Sequence, residues 1–302
     1  MGCRLSGQAQ PSPVVSAVVV NYNAGELLAT CVTSLFDCGA AQVILVDNAS
    51  VDDSVSAATS AVGYIDPPRN LEVIQTGANL GFGRAVNIGA HAARGDFLVI
   101  CNPDCSVEPG ALPRLADFLE RNPTAGVVAP MILDSRGGRY PSIRRFPSLW
   151  VSAVHAALGL VWPSNPVSRH YRSASEAPLD KDRWASGAFL MLSRELFLEM
   201  GGFDDRYFMF LEDVELSRRI ICKGYEIGYE PQARVVHHQG WSSVSRPYFV
   251  LAQHSISLWR YADQTLEGTA RFALPLVAVG AALRFAIGAA RVAARGRRPG
   301  RV

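Results

Sequence analysis

The sequence predicts an α/β fold with a mostly parallel central sheet flanked by helices. Through residues 14–130, apolar runs of strand length alternate with helical patterns, which is typical of βα units. The runs VVSAVVV, VILV and FLVI are continuously apolar, as expected for parallel strands buried on both faces. Polar side chains follow directly after these runs, at the edge where open α/β sheets bind ligands.

The predicted elements follow one another along the chain. We expect strands at residues 14–20, 42–46, 71–75, 97–101, 126–129 and 188–192. The spacing of apolar residues predicts helices at 26–36, from 52 onward, at 84–93, at 112–121 and at 214–223. Gly224 ends the last of these helices. Residues 134–183 lack this regularity and are rich in Pro, Ser and Arg.

Composition and charge exclude several classes of protein. With 302 residues, of which 49% are hydrophobic and 19% charged, the chain is not disordered. From Arg271 onward there are seven arginines and no acidic residue, so the preceding 270 residues carry a net charge of −5. A nucleic-acid-binding protein would carry basic residues along a groove of its body. We therefore expect no nucleic-acid partner.

Two further features indicate the compartment. Six cysteines in this length are too sparse for a disulfide framework. The first 13 residues contain no apolar run of signal-peptide length. Both features favour the cytoplasm.

The C-terminal segment predicts a helical tail. Residues 272–294 are apolar except for Arg284 and Arg291, and these two share one helical face with Arg295 and Arg298. A spanning helix would bury Arg284 near the membrane centre, at a cost of roughly 2.5–3.5 kcal/mol. A helix lying in the membrane surface keeps its arginines at the headgroups. We expect this amphipathic arrangement, with packing on the protein's own core as the alternative.

Polar residues at the strand ends predict a binding crevice. Asn21 and Asn23 follow the first strand, Asp47 the second, and Asn102 and Asp104 the fourth. The Asp47 carboxylate at such an edge can accept the N3–H of a uracil or thymine ring or bond a ribose hydroxyl. The alternative is an Asx turn with no ligand.

A glycine-bearing turn precedes the third helix. Asn79, Gly81 and Arg84 belong to the segment NLGFGR, which could present backbone N–H groups to a diphosphate. The segment does not match the dinucleotide fingerprint, because Val86 occupies the place of the third glycine. A tight turn that serves packing is the alternative.

Two residues are candidate metal ligands. Asp104 could bind a hard divalent cation that bridges two phosphates, whereas Asn102 offers only a neutral amide. His237 and His238 follow an apolar pair on a predicted strand, so only one of them can face the crevice. For His237 the alternatives are a metal or diphosphate ligand and a hydrogen-bonded structural histidine. For Asp104 the alternative is a type I turn with Pro103.

The pair Glu212 and Asp213 is the candidate catalytic group. It lies between the aromatic run YFMF and the predicted helix. Burial against apolar neighbours would raise the basicity of a carboxylate, which suits a general base. The alternative is that Asp213 only caps the helix.

Six motifs in order identify a family. The segments AVVVNYN, ILVDNAS, NLGFGRAVNIG, FLVICNPD, GAFLMLSRELFLEMGGFDDRYFMFLEDVELSRRI and VVHHQGWSS closely resemble family 2 glycosyltransferases of the GT-A fold, in particular the bacterial rhamnosyltransferase branch. The resemblance covers residues 14–260. It implies that Asp47 contacts the nucleotide base, Asp104 binds the metal, Asp213 deprotonates the acceptor, and the anomeric centre inverts.

The resemblance also implies substrates and a location. It points to transfer of L-rhamnose from dTDP-L-rhamnose to GlcNAc-diphosphoryl-polyprenol, with Mg²⁺ or Mn²⁺, on the cytoplasmic face of the cell membrane. Asn102 departs from the D-x-D pattern of the family, which bears on metal dependence. The alternatives are a transferase that uses another sugar nucleotide or a polysaccharide acceptor, and a catalytically silent module that binds a nucleotide or a lipid.

The expected domain organisation has three parts. Residues 1–13 form a flexible N-terminus, 14–265 the GT-A domain, and 266–302 the basic membrane-associating tail. Within the domain, residues 14–130 form the nucleotide-binding half and 131–265 the acceptor-binding half. Residues 134–183 are expected to form a lid or an insertion that faces the acceptor. The sequence makes no prediction of oligomeric state.

Overall fold

A computed structural model describes residues 13–63, 69–146, 176–238 and 246–296. Its strands form one large sheet and one two-stranded sheet. They are β1 (Val15–Asn21), β2 (Gln42–Asp47), β3 (Leu71–Gln75), β4 (Phe97–Cys101), β5 (Cys105–Val107), β6 (Ala125–Asp134), β7 (Arg139–Tyr140), β8 (Ile143–Arg145), β9 (Leu179–Asp180), β10 (Arg183–Ala185), β11 (Phe189–Ser193) and β12 (Glu226–His237).

Eight α-helices lie within the described ranges. They are α1 (Leu27–Asp37), α2 (Ser54–Gly63), α3 (Phe82–Ala92), α4 (Ala111–Arg121), α5 (Arg194–Glu199), α6 (Glu212–Cys222), α7 (Pro247–Thr265) and α8 (Leu274–Gly296). A 3₁₀ helix, Gly268–Ala273, precedes α8.

The large sheet has the order β3-β2-β1-β4-β11-β6-β12-β5. Strands β3, β2, β1 and β4 are parallel neighbours. Strand β11 runs antiparallel to both β4 and β6, and β12 runs parallel to β6. The prediction of a mostly parallel sheet flanked by helices is confirmed.

The apolar strands are explained by burial on both faces. In β1, Ala17 and Val19 belong to the core on one side of the sheet, which α1 and α4 cover. Val18 and Val20 belong to the core on the other side, which α3, α5 and α6 cover. Since successive side chains point to opposite faces, every position of β1 must be apolar or internally bonded.

Strand β5 had no counterpart among the predicted elements, whereas β12 was expected only at its end, around His237. Together they bring distant parts of the sequence to the site, because His237 pairs with Cys105 across the two antiparallel strands. The irregular stretch contributes the short strands β7 to β10, but residues 147–175 lie outside the described residues, as does the N-terminus up to residue 12. Helix α6 begins at Glu212 and α3 at Phe82, two residues before each predicted start.

The predicted helical tail is present and packs on α7. The contact is close where Gly288 faces Leu251, since a Cβ at Gly288 would approach the Leu251 side chain to 2.7 Å. The outer face of the tail is apolar and exposed. Residues 268–294 are long and apolar enough to cross a membrane, with mean hydropathy 1.9 and only 11% of the window buried.

The position of Arg284 corrects the expectation for the tail. Arg291 is exposed, but Arg284 is half-buried and lines a cavity of the body instead of joining a row of solvated arginines. The two residues are seven positions apart and so lie about 10 Å apart along the helix axis. Only the first of them lies beside the cavity. The side chains of Arg295 and Arg298 are outside the described part of the chain.

Candidate functional site

A cavity of about 710 Å³ opens at the carboxyl ends of β1, β2 and β4. Helices α6, α7 and α8 form its opposite walls. Of the residues that the sequence predicts for the site, the cavity lining includes Asn79, Gly81, Asn102, Glu212, Asp213 and His237. The predicted crevice at this edge of the sheet is therefore present.

Asn21 and Asp47 are bonded within the protein beneath this edge. The Asn21 side-chain amide is fully buried and donates to Asp47 Oδ1 at 2.8 Å, and to Ser50 and Ser54 hydroxyls at 2.9 Å. Asp47 is 2% exposed and also accepts the Ser50 N–H at 3.1 Å. Asp47 is thus bonded within the loop that follows β2, through Ser50 and not through the Asx turn that the sequence left open. Neither residue belongs to the cavity lining.

Asn23 and Asn48 shape the loops around that network. Asn23 has a φ of 53°, and its side-chain oxygen accepts the Val51 N–H at 2.8 Å. Asn48 donates from its amide to the Gly81 carbonyl at 3.0 Å and lines the cavity. Asn48 thus joins the end of β2 to the glycine-bearing turn, a role that the sequence did not identify.

Two N–H groups of the glycine-bearing turn are bonded within the protein. Gly81 N–H donates to the Asn79 side chain at 3.0 Å, and Phe82 N–H donates to the Phe208 carbonyl at 2.9 Å. Gly81 has a φ of 88°, and a Cβ there would lie 2.2 Å from the Phe208 carbonyl oxygen. Arg84 is exposed and donates to the Asp205 carbonyl at 3.1 Å, away from the cavity lining. These contacts fit the packing alternative.

Asp104 and His237 form a candidate cation site. Asp104 Oδ1 lies 3.1 Å from His237 Nε2, and both side chains are about nine-tenths buried. Asp104 Oδ1 and His237 Nδ1 have no hydrogen-bond partner among the described residues. The Asn102 amide nitrogen lies 3.4 Å from His237 Nε2. A buried carboxylate and an imidazole that face each other in this way fit a divalent cation.

Cys105 is a weaker candidate ligand in the same cluster. Its Sγ lies within 4.8 Å of ligand atoms of Asp104 and His237. The thiol, however, donates to the Ala188 carbonyl at 3.4 Å and belongs to the buried apolar core. Hard cations such as Mg²⁺ prefer oxygen ligands. Asp104 and His237 are therefore the residues that could hold the metal.

A strained turn presents the Glu212–Asp213 pair. Phe210 and Leu211 both have positive φ, 68° and 66°, although neither is glycine. Such conformations cost on the order of 1–3 kcal/mol each and occur preferentially at functional sites. Because α6 begins at Glu212, Asp213 lies inside the first turn and does not cap the helix.

The two carboxyl groups of the pair differ in their partners. Asp213 Oδ2 accepts the Gly187 N–H at 2.8 Å, and Oδ1 accepts the Val214 N–H at 2.9 Å. Glu212 is 6% exposed, and its Oε2 has no hydrogen-bond partner within the described residues. Burial and the nearby Asp213 raise the pKa of Glu212 to about 8. Burial raises the pKa of Asp213, but the Gly187 N–H and Arg144 oppose this effect.

Asp213 is therefore the carboxylate of the pair whose ionised form is better supported, since it accepts two backbone N–H groups and lies near Arg144. Glu212, with its pKa raised to about 8 by burial and by Asp213, is mostly protonated near pH 7. An ionised carboxylate at a cavity wall, with basicity above that of an exposed aspartate, can accept a proton from a bound hydroxyl group.

Arg144 is a site residue that sequence analysis missed. Its guanidinium lies over the rings of Tyr140 and Trp184, at 5.2 Å from each centroid. Trp184 in turn donates its indole N–H to the Arg145 carbonyl at 3.0 Å. Arg144 lies on β8 in the irregular stretch, where no periodic pattern marks it. Its aromatic neighbours hold its charge beside Asp213.

The wall formed by α7 is fixed to the loop before α6. Ser257 donates to the Met209 carbonyl at 2.9 Å, and Tyr207 donates to the Gln264 side chain at 2.7 Å. From this wall, Arg246 and His254 line the cavity, and Arg284 does so from α8. Arg246 and His254 were not identified as candidates from the sequence, since neither belongs to a motif.

Comparisons with known proteins agree with this geometry. Residues 16–214 match the model of glycosyl transferase family 2. The chain is 36% identical over 260 residues to N-acetylglucosaminyl-diphospho-decaprenol L-rhamnosyltransferase of Mycobacterium tuberculosis, covering 82% of this chain and 83% of the relative. It is 26% identical to rhamnosyltransferase WbbL of Escherichia coli, covering 62% and 71%.

The fold is also similar to solved structures. A mannosyltransferase from Pyrobaculum calidifontis, in complex with GDP-Man and Mn²⁺, superposes with a TM-score of 0.61. The superposition covers 93% of this chain and 76% of that one, at 18% sequence identity. At this identity the similarity concerns the fold.

Proposed function

The chain belongs to glycosyl transferase family 2 and has the GT-A fold, and from this premise we propose that it transfers L-rhamnose from dTDP-L-rhamnose to GlcNAc-diphosphoryl-polyprenol. The substrates are those suggested by the name of the 36% identical relative. The observation that carries the mechanism is the placement of Asp213 on the same cavity as His237. A base and a candidate cation site thus border one binding space.

In the proposed reaction, Asp213 accepts the proton of the acceptor hydroxyl as its oxygen attacks the anomeric carbon. The new bond forms between that oxygen and C1, the bond from C1 to the diphosphate breaks, and the nucleoside diphosphate leaves with the electron pair. Since the attack occurs opposite the leaving group, a single displacement inverts the anomeric configuration. The Gly187 N–H orients Asp213 for this step, and both it and Arg144 lower the pKa of Asp213 against the raising effect of burial.

Asp104 and His237 would hold the divalent cation, Mg²⁺ or Mn²⁺. When bound, the cation supplies positive charge that stabilises a leaving diphosphate. Asn102 lies within 3.4 Å of His237 and would orient its ring through the side-chain amide. The neutral Asn102 in the first D-x-D position leaves Asp104 as the carboxylate of this motif.

For the donor, we propose contacts from the polar residues at the strand ends. Asn48, Asn79 and Tyr22 line this side of the cavity. Asn21 and Asp47 support them from beneath by holding the loop at residues 48–54. We therefore assign Asp47 a positioning role for the nucleotide site.

The tail would place the enzyme at the cytoplasmic surface of the membrane. Residues 14–265 then form the catalytic domain and 266–302 the membrane-associating segment. The outer face of the tail exposes large apolar side chains, which a lipid surface would cover: Phe272, Leu276, Val279 and Leu283. Because Arg284 lines the cavity of the body, an orientation with α8 along the membrane surface suits this geometry better than a spanning one.

The test is transfer of labelled rhamnose from dTDP-L-rhamnose to a synthetic GlcNAc-diphosphoryl-polyprenol. We expect labelled lipid with Mg²⁺ or Mn²⁺ and none with EDTA. Asp213→Asn should lose at least roughly 10³-fold in turnover while it still binds dTDP-rhamnose. Asp205→Asn, an exposed aspartate outside the cavity lining, is the matched control.

The outcomes separate the alternatives. Turnover with a UDP-sugar but not with dTDP-rhamnose would select another donor, and labelling of a polysaccharide would select another acceptor. If wild type and Asp213→Asn bind sugar nucleotide equally and neither transfers sugar, the chain is a silent binding module and the proposed function is wrong.

A further inference from the structure

Arg284 occupies an unusual place in the molecule. It is the one charged residue in the sequence from 272 to 290, in the middle of an apolar helix. Its side chain lines the cavity, and its Nε is buried with no hydrogen-bond partner among the described residues. Within the same described ranges, no carboxylate lies at ion-pair distance from it.

A half-buried guanidinium without a counter-charge is costly unless a ligand supplies the anion. A second cation, Arg246, is exposed at the start of α7 and lines the same cavity. Glu212 and Asp213 are the acidic residues of this lining, and Asp213 is already bonded to Gly187 and Val214. The cavity wall formed by α7 and α8 is therefore a site for an anion.

This anion site differs from the candidate cation site. Asp104 and His237 lie at the ends of β4 and β12, where a donor diphosphate would be held through a metal. Arg284 and Arg246 belong to the opposite, helical wall. A second anionic group that binds in the same cavity would be recognised there directly by guanidinium groups, which suit phosphate oxygens.

The surroundings of Arg284 identify the chemistry attached to that anion. Its chain neighbours Leu283 and Phe285 are 58% and 36% exposed, and Phe249 of α7, at the cavity, is 39% exposed. A diphosphate bound at Arg284 would therefore have exposed apolar side chains within reach of its substituent. An apolar prenyl chain fits this surface.

Resting on the proposed function, we propose that Arg284, assisted by Arg246, binds the diphosphate of the lipid-linked acceptor, and that the prenyl chain leaves the cavity along α8. The apolar helix and Arg284 then act together: Arg284 fixes the diphosphate while the flanking residues contact the lipid.

The first experiment measures binding without catalysis. Titration calorimetry with farnesyl diphosphate and with dTDP compares wild type, Arg284→Gln, Arg284→Lys and the control Arg291→Gln, which changes an exposed arginine of the same helix. We expect Arg284→Gln to weaken farnesyl diphosphate binding at least tenfold and dTDP binding less than twofold. Arg284→Lys should recover part of the loss, and the control should match wild type.

The second experiment measures turnover with GlcNAc-diphosphoryl-farnesol and with an alkyl GlcNAc glycoside that lacks the diphosphate. Arg284→Gln should raise the KM for the first acceptor tenfold or more and leave kinetics with the second unchanged. Equal binding of farnesyl diphosphate by wild type and Arg284→Gln, or an equal loss with both acceptors, would overturn the inference. Arg284-dependent binding without any sugar transfer by wild type would instead reject the proposed function alone.

Discussion

Asp104 Oδ1 and His237 Nε2 lie 3.1 Å apart, although 133 residues separate them in the chain. The antiparallel pairing of β5 with β12 creates this contact, since His237 is opposite Cys105. The two side chains are largely buried, and neither Asp104 Oδ1 nor His237 Nδ1 finds a hydrogen bond within the described residues. Their arrangement leads to a prediction about metal binding.

Asp104→Asn should raise the dissociation constant for Mn²⁺ at least roughly tenfold, because a neutral amide replaces the anionic ligand. His237→Ala should weaken binding to a similar degree. Cys105→Ser is the control, since its thiol is bonded to the Ala188 carbonyl. Mn²⁺ titration followed by electron paramagnetic resonance measures all three variants. Equal weakening by Cys105→Ser would show that the cation lies elsewhere in the cluster.

Gly81→Ala should disrupt the site more than the fold. The new Cβ would lie 2.2 Å from the Phe208 carbonyl oxygen, so the turn and the loop before α6 must separate. We expect KM for the sugar nucleotide to rise roughly tenfold or more, on the basis of lost positioning.

Gly77→Ala provides the matched control for this change. Gly77 also has a positive φ, 73°, but nothing lies within 4 Å of its Cβ position. It should cost only the backbone strain of about 1–2 kcal/mol in stability and leave KM unchanged. Steady-state kinetics and urea unfolding distinguish the two effects, and equal KM values for both variants would contradict the proposed role of the Gly81–Phe208 contact.

The parts of the fold that the sequence predicted are those with local signals. Continuous apolar runs predicted β1, β2 and β4 because both faces of the sheet are covered. The carboxyl edge was predicted because polar residues follow these strands. Pairing of β5 with β12 was missed, since it joins segments more than 100 residues apart and no local pattern shows which strands pair.

The site was predicted only where its residues belong to local sequence motifs. Motifs identified Asp213 and His237, which line the cavity. Helical spacing correctly placed Arg284 and Arg291 on one side of α8. It could not reveal that Arg284 lines the cavity and Arg291 does not. The sequence left open whether the N–H groups of the glycine-bearing turn bind a ligand. It could not show that the Phe208 carbonyl, far along the chain, accepts one of them.

Arg144→Gln should move the acidic limb of the pH–rate profile to higher pH. Arg144 lowers the pKa of Asp213 through its positive charge, against the raising effect of burial. Without this charge the pKa rises, so the base is ionised only at higher pH, and the limb of kcat/KM should shift by roughly half a pH unit or more. Arg144→Lys keeps the charge and should leave the limb nearly in place. An unshifted limb in Arg144→Gln would show that Arg144 acts only through packing on Trp184.

Glu212→Gln should stabilise the protein at alkaline pH. Burial and Asp213 raise the pKa of Glu212 from 4.5 to about 8 in the folded state, so the folded protein retains a proton that the unfolded chain loses. The free energy of unfolding of wild type therefore falls as pH rises between about 4.5 and 8. The glutamine side chain does not ionise, so the variant does not lose this part of the free energy of unfolding. Urea unfolding at pH 4.5, 6, 7 and 8.5 should give a difference between variant and wild type that grows with pH by more than about 1 kcal/mol. A difference that is constant over this range would mean that Glu212 ionises equally in the folded and unfolded states.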